Sequence, residues 1–107
     1  MIHTNNVLIS GVLAKKDKMW EGETGGRNIR FTIVTREEFK NRDGQMESRE
    51  VLVPCNSFGE TASTVNAAGE GQEIAIRGKF ENQKYETDDG EVRSWKGVTV
   101  FSVTLGD

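Results

Sequence analysis

The chain has 107 residues, of which 35% are hydrophobic and 29% charged, and its net charge is −3. That length suits one domain with one core over residues 1–107, and the composition is that of a folded domain, not a disordered chain. No run approaches the ~18 apolar residues of a membrane helix, MIHTNN lacks the charged and apolar regions of a secretory signal, and a lone Cys55 excludes an internal disulfide framework; a cytoplasmic protein without a membrane partner is expected.

Charge is unevenly spread. Residues 15–49 hold nine Lys/Arg and seven Asp/Glu, whereas residues 50–76 hold no Lys or Arg and four Glu. The acidic excess therefore sits in one segment, and local field, not net charge, attracts a polyanion.

Asn6 to Ala14, NVLISGVLA, reads as the first strand, with Gly11 marking a bulge or bend. Lys15-Lys16-Asp17-Lys18 forms a charged corner. Met19-Trp20 and a loop from Glu21 to Gly26 follow. Trp20 lies among lysines, and reads equally as a lid on a core or as a ring offered to a ligand.

Arg27 to Arg36 is the second strand. Ile29, Phe31 and Ile33 alternate with Arg30, Thr32, Val34 and Arg36, so one face is apolar and the other carries arginines. Glu37 to Ser48 reads as a loop or hairpin tip around Asp43-Gly44. It places Phe39 between charged neighbours, close to Lys40 and Arg42, and loops on a rigid sheet often carry binding residues.

Arg49 to Phe58 is the third strand. Pro54, the only proline, cannot donate to a ladder, which puts this strand at an edge or at a bulge. Cys55 within it reads as a small buried hydrophobe. Glu60 to Ala68 is the one credible helix, with Gly69 as its C-cap.

Gln72 to Thr104 reads as two long strands joined at Asp88-Asp89-Gly90, a strong hairpin signal. Ile74, Ile76, Gly78 and Phe80 share one face; Arg77, Lys79, Gln83 and Tyr85 share the other. In the second arm Val98 and Val100 oppose Arg93, Trp95 and Thr99. An odd-length loop pairs Val98 or Val100 with Phe80 and brings Arg93 or Trp95 opposite Tyr85; a two-residue loop would move Trp95 to the side of Phe80. The odd loop segregates the apolar residues better. The polar face of this ribbon then mixes Arg77, Lys79, Tyr85, Arg93 and Trp95, a combination suited to stacking bases and pairing phosphates, or to covering a neighbouring subunit.

Catalysis is not expected. His3 is the only histidine and Cys55 the only cysteine, so neither a metal-ligand cluster nor a Ser/His/Asp set can be assembled, and no cofactor is implied. Asp88 and Asp89 fall at a turn that needs such residues for backbone reasons.

Three strands, a short helix and two strands is the order of an all-β, five-stranded Greek-key barrel, the OB-fold, with its helix between strands 3 and 4. Fold alone does not decide function.

The chain resembles the bacterial and phage single-stranded DNA-binding proteins. Asn6 to Leu13 is similar to their opening N-x-V-x-L-x-G-x-L strand, and Phe31 to Thr35 to their second strand. Arg42-Asp43-Gly44 resembles the tip after it, and Phe58-Gly59-Glu60-Thr61-Ala62 their F-G-K-x-A. Gly69 to Gly78 resembles a glycine-flanked strand, and Lys84-Tyr85 before Asp89-Gly90 an aromatic ahead of the last hairpin. The resemblance spans residues 5 to 105. It implies base stacking by Phe39, Phe58 and Tyr85, with Trp20 where a tyrosine is common. It also implies a phosphate channel of Arg30, Arg36, Lys40, Lys79 and Lys84. The function implied is coating of single-stranded DNA in replication, recombination or repair, without sequence specificity. A homo-oligomer, dimer or tetramer, is implied, with replication proteins as further partners. Leu52 stands where a third stacking ring is expected and Glu60 replaces a lysine. The sequence reads as a short form without a glycine-rich linker and acidic tip. A replication-restart accessory protein of the same fold, acting through protein contacts, is the rival reading.

Overall fold

In the computed structural model, which describes residues 2–106, the strands are β1 (Val7–Lys16), β2 (Trp20–Glu21), β3 (Arg27–Lys40), β4 (Met46–Phe58), β5 (Glu73–Glu86) and β6 (Val92–Leu105). The one helix, α1 (Gly59–Ala67), lies between β4 and β5. The sheet runs β1-β5-β6-β4-β3, and a further β1–β3 pairing closes it into a barrel; the two-residue β2 extends β3 at its margin. The expected five-stranded OB barrel is therefore present, with β2 an addition the sequence did not suggest.

β1 closes the ring. Val7 to Val12 pair with β5 and Val12 to Lys16 with β3, so Val12 faces Glu73 on one side and Val34 on the other. The irregularity falls between Leu13 and Lys15, not at Gly11. Gly11 serves close approach: a Cβ there would lie 2.2 Å from the Val34 carbonyl oxygen. Gly78 plays the same part against the Thr99 carbonyl at 2.1 Å, beside a bulge that offsets β5 from β6.

Inward residues form one core: Leu13, Ile29, Phe31, Ile33, Val53, Cys55, Ile74, Ile76, Val98 and Val100, floored by Ala62 and Val65 of α1. Phe80, expected in that core, is half exposed. It occupies the inward position opposite Val98, but the barrel ends there. Asn5 closes this rim, donating from Nδ2 to the Phe80 carbonyl at 2.7 Å and accepting the Phe80 N–H at 2.9 Å.

The helix ends at Ala67, and its C-cap is Ala68 in an extended conformation, not Gly69. Its last turn has no basic residue of its own. Lys16 supplies one, donating from Nζ to the carbonyls of Asn66, at 2.6 Å, and Ala68. A cation at exposed helix carbonyls is favourable for both dipole and hydrogen-bond reasons.

Three hairpin loops share one design. In Gly22–Gly26, Asn41–Gln45 and Thr87–Glu91 the first N–H donates to the last carbonyl, and the fourth residue, a glycine at positive φ, donates back to the first. This is the three-residue loop with a left-handed glycine. It sets the odd register: Phe80 pairs with Val98 and Tyr85 with Arg93. β3 and β4 also run further than expected, to Lys40 and from Met46, because Asn41 Oδ1 accepts the Asp43 and Gln45 N–H groups and ties off the tip.

Gly78→Ala is expected to destabilise the chain by roughly 1–3 kcal/mol, the usual cost of overpacking. Gly69→Ala, where a Cβ meets nothing within 4 Å, is expected to be neutral. Urea midpoints of the two variants check this; equal midpoints would mean that β5 and β6 part at Gly78 at no cost.

Candidate nucleic-acid interface

Because side chains alternate, the register that buries Phe31, Cys55 and Val98 also fixes what points outward. Arg30 pairs with Asn56, Asn56 with Thr99 and Thr99 with Lys79, a cross-strand row over four strands. A second row joins Trp20, Asn28 and Phe58. Ser57 pairs with Val100, and the next residue of each strand, Phe58 and Phe101, turns out to solvent. Trp95 lies opposite Gln83 on the same outer side of the β5–β6 ribbon as Lys79, Tyr85 and Arg93.

The two indoles are held in the same way. A Cβ on Gly22 would lie 2.6 Å from the Trp20 ring, and one on Gly97 the same distance from the Trp95 ring. Each indole thus lies along its strand over the glycine two residues on, which shares its face. Trp20 is 61% exposed, so it is not a core lid. Trp95 is half-buried, and the Arg30 guanidinium sits 5.6 Å from its ring centroid. Lys79 Nζ approaches Phe101 at 5.9 Å. Both are cation–π distances.

The residues expected to bind fall into two groups. Trp20, Arg30, Phe58, Lys79, Tyr85, Arg93 and Trp95 share the outer face, and Arg36 and Lys40 continue it along β3, with Arg77 beyond Lys79 on β5. Phe39 and Lys84 stand on the opposite sides of their ribbons; Phe39 shares its side with Arg49, whose guanidinium lies 5.5 Å from the ring. Arg42 is at the loop tip. Lys16, counted among the cations near Trp20, is committed to the helix carbonyls.

Several cations are paired within the chain: Arg36 with Glu50 at 3.7 Å, Lys79 with Glu81 at 2.9 Å and Arg93 with Glu91 at 3.4 Å, besides Arg49 with Glu37 at 3.0 Å. All are exposed or partly so, and such pairs contribute little, so each cation stays available to another anion. The Lys79 ammonium, with the Gln83 amide beside it, holds the Glu81 carboxyl below the usual carboxylate range. Arg30, Lys40, Arg42, Arg77 and Lys84 make no ion pair among the described residues.

Among the members of this face that reading the sequence missed are Asn28 and Phe101. Both were accessible from alternation alone, since Asn28 precedes core Ile29 and Phe101 follows core Val100. Asn28 Oδ1 and Asn56 Oδ1 are buried without a hydrogen-bond partner. Unpaired buried polar atoms are uncommon and mark places where a water or ligand completes the site.

The family model of the single-strand binding protein family matches residues 4–105. The chain belongs to that family. It is 32% identical over 88 residues to a single-stranded DNA-binding protein of Streptococcus pyogenes, covering 81% of this chain and 66% of that protein. With the single-stranded DNA-binding protein of Clostridium perfringens it shares 27% over 105 residues, 96% of this chain and 66% of that one. The chain thus spans about two thirds of the length of these curated relatives. The fold matches that of a deletion mutant of the single-stranded DNA binding protein from Thermus aquaticus (TM-score 0.81, 21% identity, 97% of this chain and 51% of that one). It also matches Plasmodium falciparum SSB in complex with ssDNA (TM-score 0.82, 11% identity, 100% and 98%).

Cys55 lies inside the barrel, away from this face, and burial pushes its thiol up to about 12. The sign is that of an acid denied its charged form, so the thiol stays protonated and inert at pH 8. A thiol reagent at pH 8 is expected to leave the native chain unmodified and to titrate one group after denaturation. Rapid native labelling would place Cys55 at the surface.

Proposed function

We propose that this chain binds single-stranded DNA across the outer face of β3, β4, β5 and β6. The observation that carries the reading is the composition of that face: Trp20, Phe58, Phe101, Trp95 and Tyr85 stand exposed or half-buried beside Arg30 and Lys79. Rings on an aqueous sheet face are a liability unless something covers them. Bases stack on such rings whatever their identity, and cations between the rings take the phosphates. Membership of the single-strand binding protein family supports the same ligand.

Coating of DNA during replication, recombination or repair is the role this implies, as a binding protein and not a catalyst. Assembly with further copies of the chain is part of the proposal. β1 turns Leu8, 81% exposed, and Val12 outward, two apolar side chains on a strand. Among the described residues no helix is long and apolar enough to cross a membrane.

Tryptophan fluorescence tests the reading. A thymidine oligomer is expected to quench the indoles at low salt and less so at high salt. Phe58→Ala is expected to weaken binding by roughly 1–3 kcal/mol, the usual contribution of one stacked base. No quenching and no gel shift at low salt would sink the proposal.

Lys79 offers a second test, because Glu81 occupies it in the free chain. Glu81→Gln is expected to tighten binding and to steepen the dependence of log K on log salt by about 0.7, one more phosphate contact on a single strand. An unchanged slope together with an unchanged affinity would show that Lys79 stays off the phosphates.

A further inference from the structure

A cleft of about 440 Å³ opens beside Trp20, lined by Asp17, Lys18, Trp20, Asn28 and Arg30. Its chemistry differs from the rest of the face. Asn28 pairs with Trp20 on one side and Phe58 on the other, so in the cross-strand row it stands between two residues with exposed rings. Its Oδ1 is buried and accepts no hydrogen bond. Asp17 is fixed beside Arg30 by its N–H, which donates to the Arg30 carbonyl at 2.9 Å. Its carboxylate is exposed and forms no ion pair among the described residues, although Arg30 and Lys18 line the same cleft. A negative group there does nothing for a phosphate. It suits a ligand that presents donors.

Bases differ in just this respect. Guanine carries N1–H and N2–H₂ side by side: N1–H and one N2 hydrogen are two parallel donors that match a carboxylate, and the second N2 hydrogen is left for an amide oxygen such as Asn28 Oδ1. Thymine presents one N–H between two carbonyls, so its oxygens would face the Asp17 oxygens. A polar site built for donors rejects an analogue that lacks them far more strongly than an apolar pocket does, and a misplaced acceptor adds repulsion. Unpaired bases splayed on an aromatic ring are read on this edge.

We propose that the Trp20 cleft is a base-reading subsite. One nucleobase stacks on Trp20 and presents its donor edge to Asp17 and Asn28, so guanine is taken in preference to thymine at this position, while the remaining rings accept any base. The inference rests on the single-stranded DNA reading above and adds a local preference to it.

The test is a set of fluorescence titrations of the full chain with short thymidine oligomers, either unbroken or carrying a single guanine or inosine at successive positions. One guanine avoids quadruplex formation. A guanine in the right place is expected to tighten binding about fivefold or more, the low end for a bidentate base contact, and inosine, lacking the 2-amino group, to lose most of that gain. Asp17→Asn and, separately, Asn28→Ala are expected to bring the guanine-to-thymine ratio close to one; the ratio is the readout, not the affinity for either oligomer. Asp17 is exposed, so its variant keeps the test informative if Asn28→Ala folds poorly. Equal affinity for all the oligomers, or a preference that survives Asp17→Asn, would overturn the subsite and leave the DNA reading standing. Failure of every oligomer to bind would overturn both.

Discussion

Closure of the sheet by β1 is the constraint on which the rest depends. A closed barrel has one inside, and small barrels fill it with side chains. Once β1 pairs with both β5 and β3, the inward positions within the barrel are committed to a single core and the outward ones to solvent or a ligand. The barrel needs backbone against backbone at three places, and each is a glycine: Gly11 under the Val34 carbonyl, Gly78 under the Thr99 carbonyl and Gly97 under the Pro54 carbonyl. The second approach sits in the β5–β6 pairing that carries Lys79 opposite Thr99. The row Arg30–Asn56–Thr99–Lys79 is thus a by-product of the same contact that lets the core close.

On that scaffold the rings are held before any ligand arrives. Trp20 and Trp95 each lie over a glycine two residues downstream, a Trp-x-Gly arrangement that occurs on β2 and again on β6. A side chain lying along its own strand has fewer rotamers to lose on binding, and preorganisation of this kind lowers the entropic cost of association. Glycine here is a surface device, distinct from its part in closure. At Gly97 the two coincide, because a Cβ there would also meet the Pro54 carbonyl at 2.5 Å. This fits the expectation that a proline at 54 belongs where the strand is open on one side: β4 pairs with β6 only from Cys55 onward.

Much of this was legible in the chain because alternation is a local signal. The faces of β3 and β5, the apolar pair Val98 and Val100 and the odd hairpin loop all follow from side-chain parity and from Asp-Gly at the tip. Parity says which side a residue faces, but not where the barrel stops. Phe80 has the parity of Ile76 and yet stands half exposed, because the rim falls at Gly78 and Asn5. Phe39 has the parity of Ile33, which puts it on the other side of the β3–β4 ribbon from Arg36 and Lys40. Long-range pairing was also invisible. Lys16 looked like one more cation beside Trp20; only the fold brings the end of α1 over it. Gly69 looked like a helix cap, but the tight turn that needs positive φ comes two residues later, at Gly71.

The balance of charge bears on how such a face holds a polyanion. With a net charge of −3 the chain has no long-range field to draw DNA in. Three of its outward cations, Arg36, Lys79 and Arg93, are already engaged by Glu50, Glu81 and Glu91. Each phosphate that displaces a carboxylate exchanges one exposed ion pair for another, a trade worth little. On the proposed reading the affinity therefore rests on stacking at the five outward rings, Trp20, Phe58, Tyr85, Trp95 and Phe101, together with the cations that carry no ion pair among the described residues, such as Arg30 and Arg77. On the proposed reading the carboxylates in turn act as a filter. A double helix presents phosphates to this surface but keeps its base faces to itself, so it meets the repulsion without the stacking. A single strand gains both rings and cations. If the chain binds as proposed, discrimination between the two forms of DNA follows from interleaving acidic groups with aromatic ones, and a more basic surface would weaken it.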